Sequence, residues 1–165
     1  FDTPELTRQE YVRMLQTAKI LEDEWAYVLT KLFATTGIAV LDLPAVTVEA
    51  VQTGHAVLKS GKKLEIVRFP ASLQADLLRY ARENGHPSGM IFTKKDGSAI
   101  ARTQVSVFIQ KLALEAKVPA EKGNIRALRQ LYKTTISGIE ANFDLLVRQA
   151  YERQLETEQL SVGWE

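Results

Sequence analysis

The chain has 165 residues, no cysteine and a formal net charge of +1. This length is enough to bury a core without covalent staples, and the lack of cysteine excludes disulfides, thiolate metal sites and cysteine nucleophiles. No apolar run reaches the length of a membrane span, so we expect no membrane partner. A chain without cysteine favours a reducing compartment, and we expect the cytoplasm.

Helical signals dominate the first 45 residues. Thr7 followed three residues later by Glu10 is a capping box, and apolar residues at helical spacing come after it. A second helix is predicted from Glu24 to Thr35. Ile38–Leu43 is predicted to be a short helical turn that closes at Pro44.

From residue 46 the pattern changes to short β-branched segments. Thr47–Val51, His55–Leu58 and Leu64–Phe69 predict three strands separated by turn residues. The second turn is a hairpin rich in lysine, 59–63. These segments predict a small three-stranded antiparallel sheet.

Helical periodicity returns after Pro70 and continues to the end. One helix is predicted after Pro70, one is capped by Thr103, and two more are expected over Arg126–Gly138 and Phe143–Glu158. There is no internal repeat and no low-complexity linker. We therefore expect one α+β domain over residues 1–165, mostly helical with the small sheet.

Basic charge is concentrated in two segments of the sequence. Arg102–Lys133 has seven basic and two acidic residues, and Lys59–Arg68 has four basic residues and one acidic. Ile136–Glu165 reverses the balance, with two basic residues and six acidic. The basic segments fit either a nucleic-acid surface or two solvated faces, and composition favours neither.

Common enzymatic signatures are missing. His55 and His86 are the only histidines, and neither has a metal partner at ligand spacing. Gly61-Lys62-Lys63 lacks the rest of a phosphate-binding loop, and no Gly-x-Ser-x-Gly elbow occurs. We expect no metal and no cofactor.

The order of elements, with three short boxes, resembles the catalytic domain of the tyrosine recombinases, the phage-type integrases. Thr36–Leu43 is similar to the family's Thr-Gly-x-Arg-x-x-Glu-Leu box, and Thr47–Val51 to the strand that follows it. Arg126–Arg129 is similar to the His-x-Leu-Arg box. The resemblance runs from about Leu6 to Ser161 and implies an upstream helical DNA-binding domain in a longer chain.

The resemblance also implies a chemistry, in which a tyrosine hydroxyl attacks a DNA phosphodiester while cations stabilise the phosphorane. The first arginine of that site falls on Ala39, and the carboxylate after it is kept as Asp42. The hairpin lysine, which acts as general acid, is Lys62 or Lys63.

The remaining positions fall in the last third of the chain. The histidine of the second box is replaced by Arg126, and its arginine is kept as Arg129. The second histidine falls on Glu152 and the nucleophilic tyrosine on Ser161. Tyr132 and Tyr151 are predicted to be core residues rather than nucleophiles.

Four of six catalytic positions are therefore changed, and we expect no DNA cleavage. We predict a concave basic face that holds Asp42, the hairpin lysine and both arginines, with Ala39 and Glu152 in the same pocket. The leading hypothesis is a DNA-binding module that contacts the duplex backbone. Its candidate DNA-binding residues are Lys59, Lys62, Lys63, Arg102, Arg126, Arg129 and Lys133.

Two alternatives remain open. The acidic C-terminal segment, with Leu155, Leu160, Val162 and Trp164, fits a protein–protein interaction module that binds a recombinase partner or a second copy. The lesser alternative is an active recombinase with atypical residues.

Overall fold

The computed structural model describes residues 4–60 and 62–163. The chain divides into two compact units, one ending at Tyr132 and one beginning at Lys133. The described elements are α1 (Arg8–Ile20), α2 (Glu24–Thr36), the 3₁₀ helix η1 (Val40–Ala45), α3 (Val48–Thr53), β1 (His55–Ser60), β2 (Lys63–Arg68), α4 (Ala71–Glu83), α5 (Arg102–Glu115) and α6 (Ile125–Val162).

The predicted capping box begins α1. The Thr7 hydroxyl accepts from the Glu10 amide at 3.1 Å, and the Glu10 carboxylate accepts from the Thr7 amide at 3.0 Å. Tyr11, Met14 and Ala18 form the buried face at helical spacing. The sequence prediction for this helix is confirmed.

Helix α2 lies at the centre of the first unit. Its residues Val28, Leu29, Leu32 and Phe33 have no exposed surface. Helices α1, α4 and α5 pack against it, which buries an apolar stripe on each of them. The helix ends at Gly37, in the left-handed conformation.

The first predicted strand is wrong, because residues 48–53 form α3. The Thr47 hydroxyl accepts from the Ala50 amide at 3.1 Å, and Gly54 closes the helix in the left-handed conformation. Val48 and Val51 are three residues apart and both buried, so β-branched residues here serve a helix face.

The sheet therefore has two strands in the described residues. β1 and β2 are antiparallel, with a register that runs from His55 opposite Arg68 to Ser60 opposite Lys63. Ala56 and Leu58 face the core, whereas Val57 on the other face is half exposed.

After the sheet, α4 and α5 complete the core of the first unit. Ile91 and Phe92 are buried in the loop between these helices, and the Phe92 ring stacks on Tyr80 at 5.7 Å. Thr103 does not cap α5 as predicted, because the helix begins one residue earlier and Ala101 occupies the cap position.

The two helices predicted at the end are one helix, α6. Asn124 caps it, with its side-chain oxygen 2.8 Å from the Ala127 amide. Gly138, where a break was predicted, lies inside the helix. Tyr151 is 60% exposed, which contradicts its predicted core role. Within residues 4–60 and 62–163, no helix combines the length and apolarity needed to cross a bilayer.

Candidate nucleic-acid interface

The segment that follows α2 forms the centre of the candidate site. Gly37 has φ +69°, and its amide donates to the Phe33 carbonyl at 3.0 Å. The Thr36 hydroxyl accepts from the Ile38 amide at 3.2 Å. These bonds fix the backbone just before Ala39, whose methyl group is half buried where the family pattern has an arginine.

Arg129 reaches this segment from the first turns of α6. Its Nε donates to the Gly37 carbonyl at 3.0 Å, two residues before Ala39. The Tyr132 ring lies against Gly37 so closely that a Cβ on the glycine would be 2.6 Å from Cδ2. Ala39 and Arg129 therefore lie on the same side of the first unit, as the family resemblance requires.

The start of α6 is positioned by close packing on α5. A Cβ on Gly123 would be 2.2 Å from the Cβ of Ala113, so only glycine allows this approach. Arg126 is exposed, and its Nη2 donates to the Glu121 carbonyl at 3.3 Å. Because Arg126 and Arg129 are three residues apart, they share one face of the helix.

The lysine hairpin belongs to the same unit as this segment. β1 contacts η1, which begins directly after Ala39. Lys59, Lys62 and Lys63 are all exposed. Lys62 lies in the turn. Lys59 pairs with Leu64, and Lys63 pairs with Ser60. Because neighbouring pairs point to opposite faces of a hairpin, Lys59 and Lys63 lie on opposite faces.

Asp42 and the two outlying basic residues have simpler surroundings. The Asp42 amide donates to the Ala39 carbonyl at 3.0 Å, and its side chain is partly exposed in η1. Arg102, at the start of α5, and Lys133, in α6, are exposed. Both side chains are accessible to a ligand.

Glu152 and Ser161 belong to the second unit. Both are exposed on α6, and the Ser161 hydroxyl donates to the Thr157 carbonyl at 3.0 Å within its own helix. A shared pocket of Glu152 with Ala39 stays a prediction.

Lys122 belongs to the predicted basic segment 102–133, but it forms an ion pair with a distant helix. Its Nζ lies 3.3 Å from Glu10 Oε1, so this ion pair ties the loop before α6 to the start of α1. Arg13, outside the predicted basic segments, donates to the Ala116 and Lys117 carbonyls at the end of α5, at 2.7 and 3.1 Å. Neither role has a local sequence signal, because the partners are more than 100 residues apart.

Comparisons with known proteins give similarity of structure only. No family model matches the sequence, and no curated protein matches it. XerH site-specific recombinase bound to its difH substrate is 18% identical, with a TM-score of 0.71 over 88% of this chain and 46% of that chain. XerA recombinase is 19% identical, with a TM-score of 0.69 over 81% and 48%.

A lambda integrase bound to DNA is 18% identical, with a TM-score of 0.61 over 78% of this chain and 49% of that chain. The chain thus spans about half the length of these solved structures. The mostly helical architecture and the short antiparallel sheet agree with these structural similarities. The chain has a fold like that of the tyrosine recombinase catalytic domain.

Proposed function

We propose that this chain is a DNA-binding module with a recombinase fold, and that it contacts the duplex backbone without cleaving it. One observation carries the proposal: Arg129 is hydrogen-bonded to the 36–39 segment in a fold whose solved examples include DNA-bound recombinases. The hairpin of the same unit adds three exposed lysines. The change at Ala39 leaves binding groups in place while it removes a catalytic one.

The binding half of the proposal rests on exposed cations. Arginine and lysine side chains neutralise phosphates and release counterions, which gives affinity without reading the base sequence. The proposed contacts are Lys59, Lys62, Lys63, Arg102, Arg126, Arg129 and Lys133. Because the chain spans half of its structural neighbours, we expect an affinity of about micromolar or weaker.

The cleavage half rests on what stands at the catalytic positions. An alanine methyl at Ala39 stabilises no phosphorane charge, and a carboxylate at Glu152 would repel a phosphate by about 1–4 kcal/mol. The Ser161 hydroxyl is a weak nucleophile whose proton is donated to the Thr157 carbonyl of its own helix. Tyr151 is the only tyrosine after Tyr132.

A salt titration of DNA binding tests the first half. We expect fluorescence anisotropy with a labelled duplex to show affinity that falls as salt rises. The plot of log K against log salt has a negative slope, and the double variant Lys62→Ala with Lys63→Ala should make it less steep by about 2. Lys94→Ala with Lys95→Ala removes the same charge from an exposed turn outside the candidate surface, and should change the slope less. Salt-independent affinity would contradict backbone binding.

A nicked suicide duplex tests the second half, because such a substrate traps any covalent protein–DNA adduct. We expect no adduct on a denaturing gel. An adduct that forms with this chain and disappears in Tyr151→Phe would show an active recombinase whose nucleophile is Tyr151. That outcome would overturn the proposal.

A protein-interaction role is the second candidate, favoured by the exposed apolar residues of the C-terminal segment. Leu155 is 43% exposed, Leu160 73% and Val162 71%. Trp164 lies outside the described residues. Loss of salt dependence in the titration above would move this candidate ahead.

A further inference from the structure

Strand β2 is exposed along its whole length, unlike the strand beside it. Ala56 and Leu58 of β1 are buried against the core, whereas no residue of β2 is buried. Leu64 and Ile66 are 67 and 59% exposed. Because β1 also contacts η1 and α3, it anchors the hairpin to the first unit, and β2 is the outer strand.

One edge of β2 is free to pair with another strand. The sheet consists of β1 and β2 within residues 4–60 and 62–163, so the N–H and C=O groups of every second β2 residue point away from β1. The register runs without a bulge from His55 opposite Arg68 to Ser60 opposite Lys63, and residues 63–68 contain no proline. A regular edge that lacks bulges and proline is a template for strand addition.

The side chains of β2 divide into two rows, because successive residues of a strand point to opposite faces. Val67 pairs with Ala56, whose methyl group is buried, so Val67 belongs to the row on the core side. Leu64, Ile66 and Arg68 form the row on the other side, which we call the outer row. The outer row is therefore apolar in its middle and cationic at one end.

Charge at the two ends of β2 indicates the chemistry of a partner. Lys63 begins the strand and Arg68 ends it, and both side chains are exposed. Neither of them forms an ion pair among the described residues. Glu65 lies between them in the row on the core side, opposite Leu58. Residues 62–68 thus hold three cations and one carboxylate, which favours an acidic partner.

We propose that an acidic, extended segment of a partner protein adds to the free edge of β2 as a third strand. Antiparallel addition continues the pattern of the sheet and gives the partner main-chain hydrogen bonds. Partner carboxylates opposite Lys63 and Arg68 then form cross-strand ion pairs, and apolar partner side chains cover Leu64 and Ile66. This inference does not depend on DNA binding.

Two other occupants fit the edge less well. Two copies paired through β2 would bring together the cations of both edges, which destabilises a direct pairing. A nucleic acid would gain phosphate contacts from the lysines, but Leu64 and Ile66 offer neither a hydrogen bond to a base edge nor a ring for stacking. The middle of β2 therefore favours a polypeptide.

A synthetic hexapeptide serves as the probe, Glu-Thr-Ile-Thr-Val-Glu with both ends blocked. Paired antiparallel to β2, its two glutamates lie opposite Arg68 and Lys63, and its isoleucine and valine lie opposite Ile66 and Leu64. We expect the probe to shift the backbone amide signals of residues 63–68 in NMR spectra of the full chain, with a dissociation constant of about 0.1–1 mM. The reversed sequence, Glu-Val-Thr-Ile-Thr-Glu, has the same composition but puts its apolar residues in the wrong row. It should bind at least about threefold more weakly.

Variants of exposed residues separate the apolar contact from the ionic one. Ile66→Thr keeps the branched β carbon but removes apolar surface, and it should weaken the probe about two- to fivefold. Val107→Thr is the matched control, since Val107 is 60% exposed on α5, and it should leave probe binding unchanged. Arg68→Gln should weaken the probe and make its binding less dependent on salt. Circular dichroism checks that each variant keeps the fold, and Ile66→Thr should not alter the salt slope of DNA binding.

The same measurements can overturn the proposal. No shift at residues 63–68, or equal losses in Ile66→Thr and Val107→Thr, contradicts it, and so does a reversed probe that binds as tightly as the designed one. A labelled duplex that shifts these amides where the probe does not would assign the edge to nucleic acid. Self-association in sedimentation velocity that Ile66→Thr abolishes would assign it to a second copy. Either outcome rules out an acidic protein partner.

Discussion

Replacing Gly37 with alanine tests how the candidate site is held together. The residue has φ +69°, accepts the Arg129 Nε bond at 3.0 Å and lies under the Tyr132 ring. An alanine Cβ would stand 2.6 Å from Tyr132 Cδ2, so the ring must move by roughly 1 Å to restore an ordinary contact. Arg129 lies one turn earlier on the same helix and must follow.

Two terms make up the expected loss of stability. Left-handed backbone costs a residue with a Cβ about 1–2 kcal/mol, and forcing a group into a packed contact costs about 1–3 kcal/mol. Gly37→Ala should therefore lower the free energy of unfolding by about 2–5 kcal/mol. For a chain of this size the midpoint should fall by about 5–15 °C.

Thermal and chemical unfolding monitored by circular dichroism measure this loss. Gly54→Ala is the matched control, since Gly54 also ends a helix, with φ +89°, but its nearest neighbour would be Gln74 Nε2 at 3.7 Å. It should lose only the backbone term of about 1–2 kcal/mol. Equal losses in the two variants would refute the ring-overlap reasoning, and so would a Gly37→Ala loss that persists in full in a Tyr132→Ala background.

The remaining predictions concern charge and pH. Partial burial raises the pKa of Glu10, but hydrogen bonds from Thr7 and Lys122 bring the pKa below its ordinary 4.5. A lowered pKa adds stability above about pH 4.5, and this stability disappears on acidification. The melting temperatures of the wild type and Glu10→Gln should therefore differ at neutral pH and converge in acid. Burial raises the pKa of Tyr11 from 10 to about 12, so stability should fall between those values as pH rises, and fall less in Tyr11→Phe. Asp76→Ala removes a carboxylate 2.6 Å from Lys31 and should cost about 3 kcal/mol in urea unfolding; a loss below about 1 kcal/mol would show that the pair is effectively solvated.

Local signals in the sequence predicted most of the helices. The capping box at Thr7 and Glu10 depends on residues three apart, and the structure confirms it. The same kind of signal was overlooked at Thr47, where a cap and a closing glycine outweigh β-branched residues and turn the predicted strand into α3. A capping threonine carries more information than β propensity over six residues.

Long-range features could not be predicted in the same way. The break expected after Gly138 is absent, because one glycine costs only about 1 kcal/mol and does not by itself end a helix. The ion pair of Lys122 with Glu10 and the bonds of Arg13 join segments over 100 residues apart. The charge count of the basic segment included Lys122 as one more basic residue and did not reach Arg13, although geometry gives both of them structural roles.

Two positions that match the recombinase pattern, Gly37 and Arg129, stabilise the fold, whereas positions that depart from the pattern make no comparable bond within the described part of the chain. Gly37 closes α2, and Arg129 holds its carbonyl, so neither can change without a loss of stability. Among the described residues, Ala39, Glu152 and Ser161 make no such bond to a distant element, and the Ser161 hydroxyl donates only within its own helix. Retention of Arg129 is therefore explained by structure alone and is no argument for catalysis. The proposed DNA contact of Arg129 would come from its terminal guanidinium nitrogens, because Nε already donates to the Gly37 carbonyl.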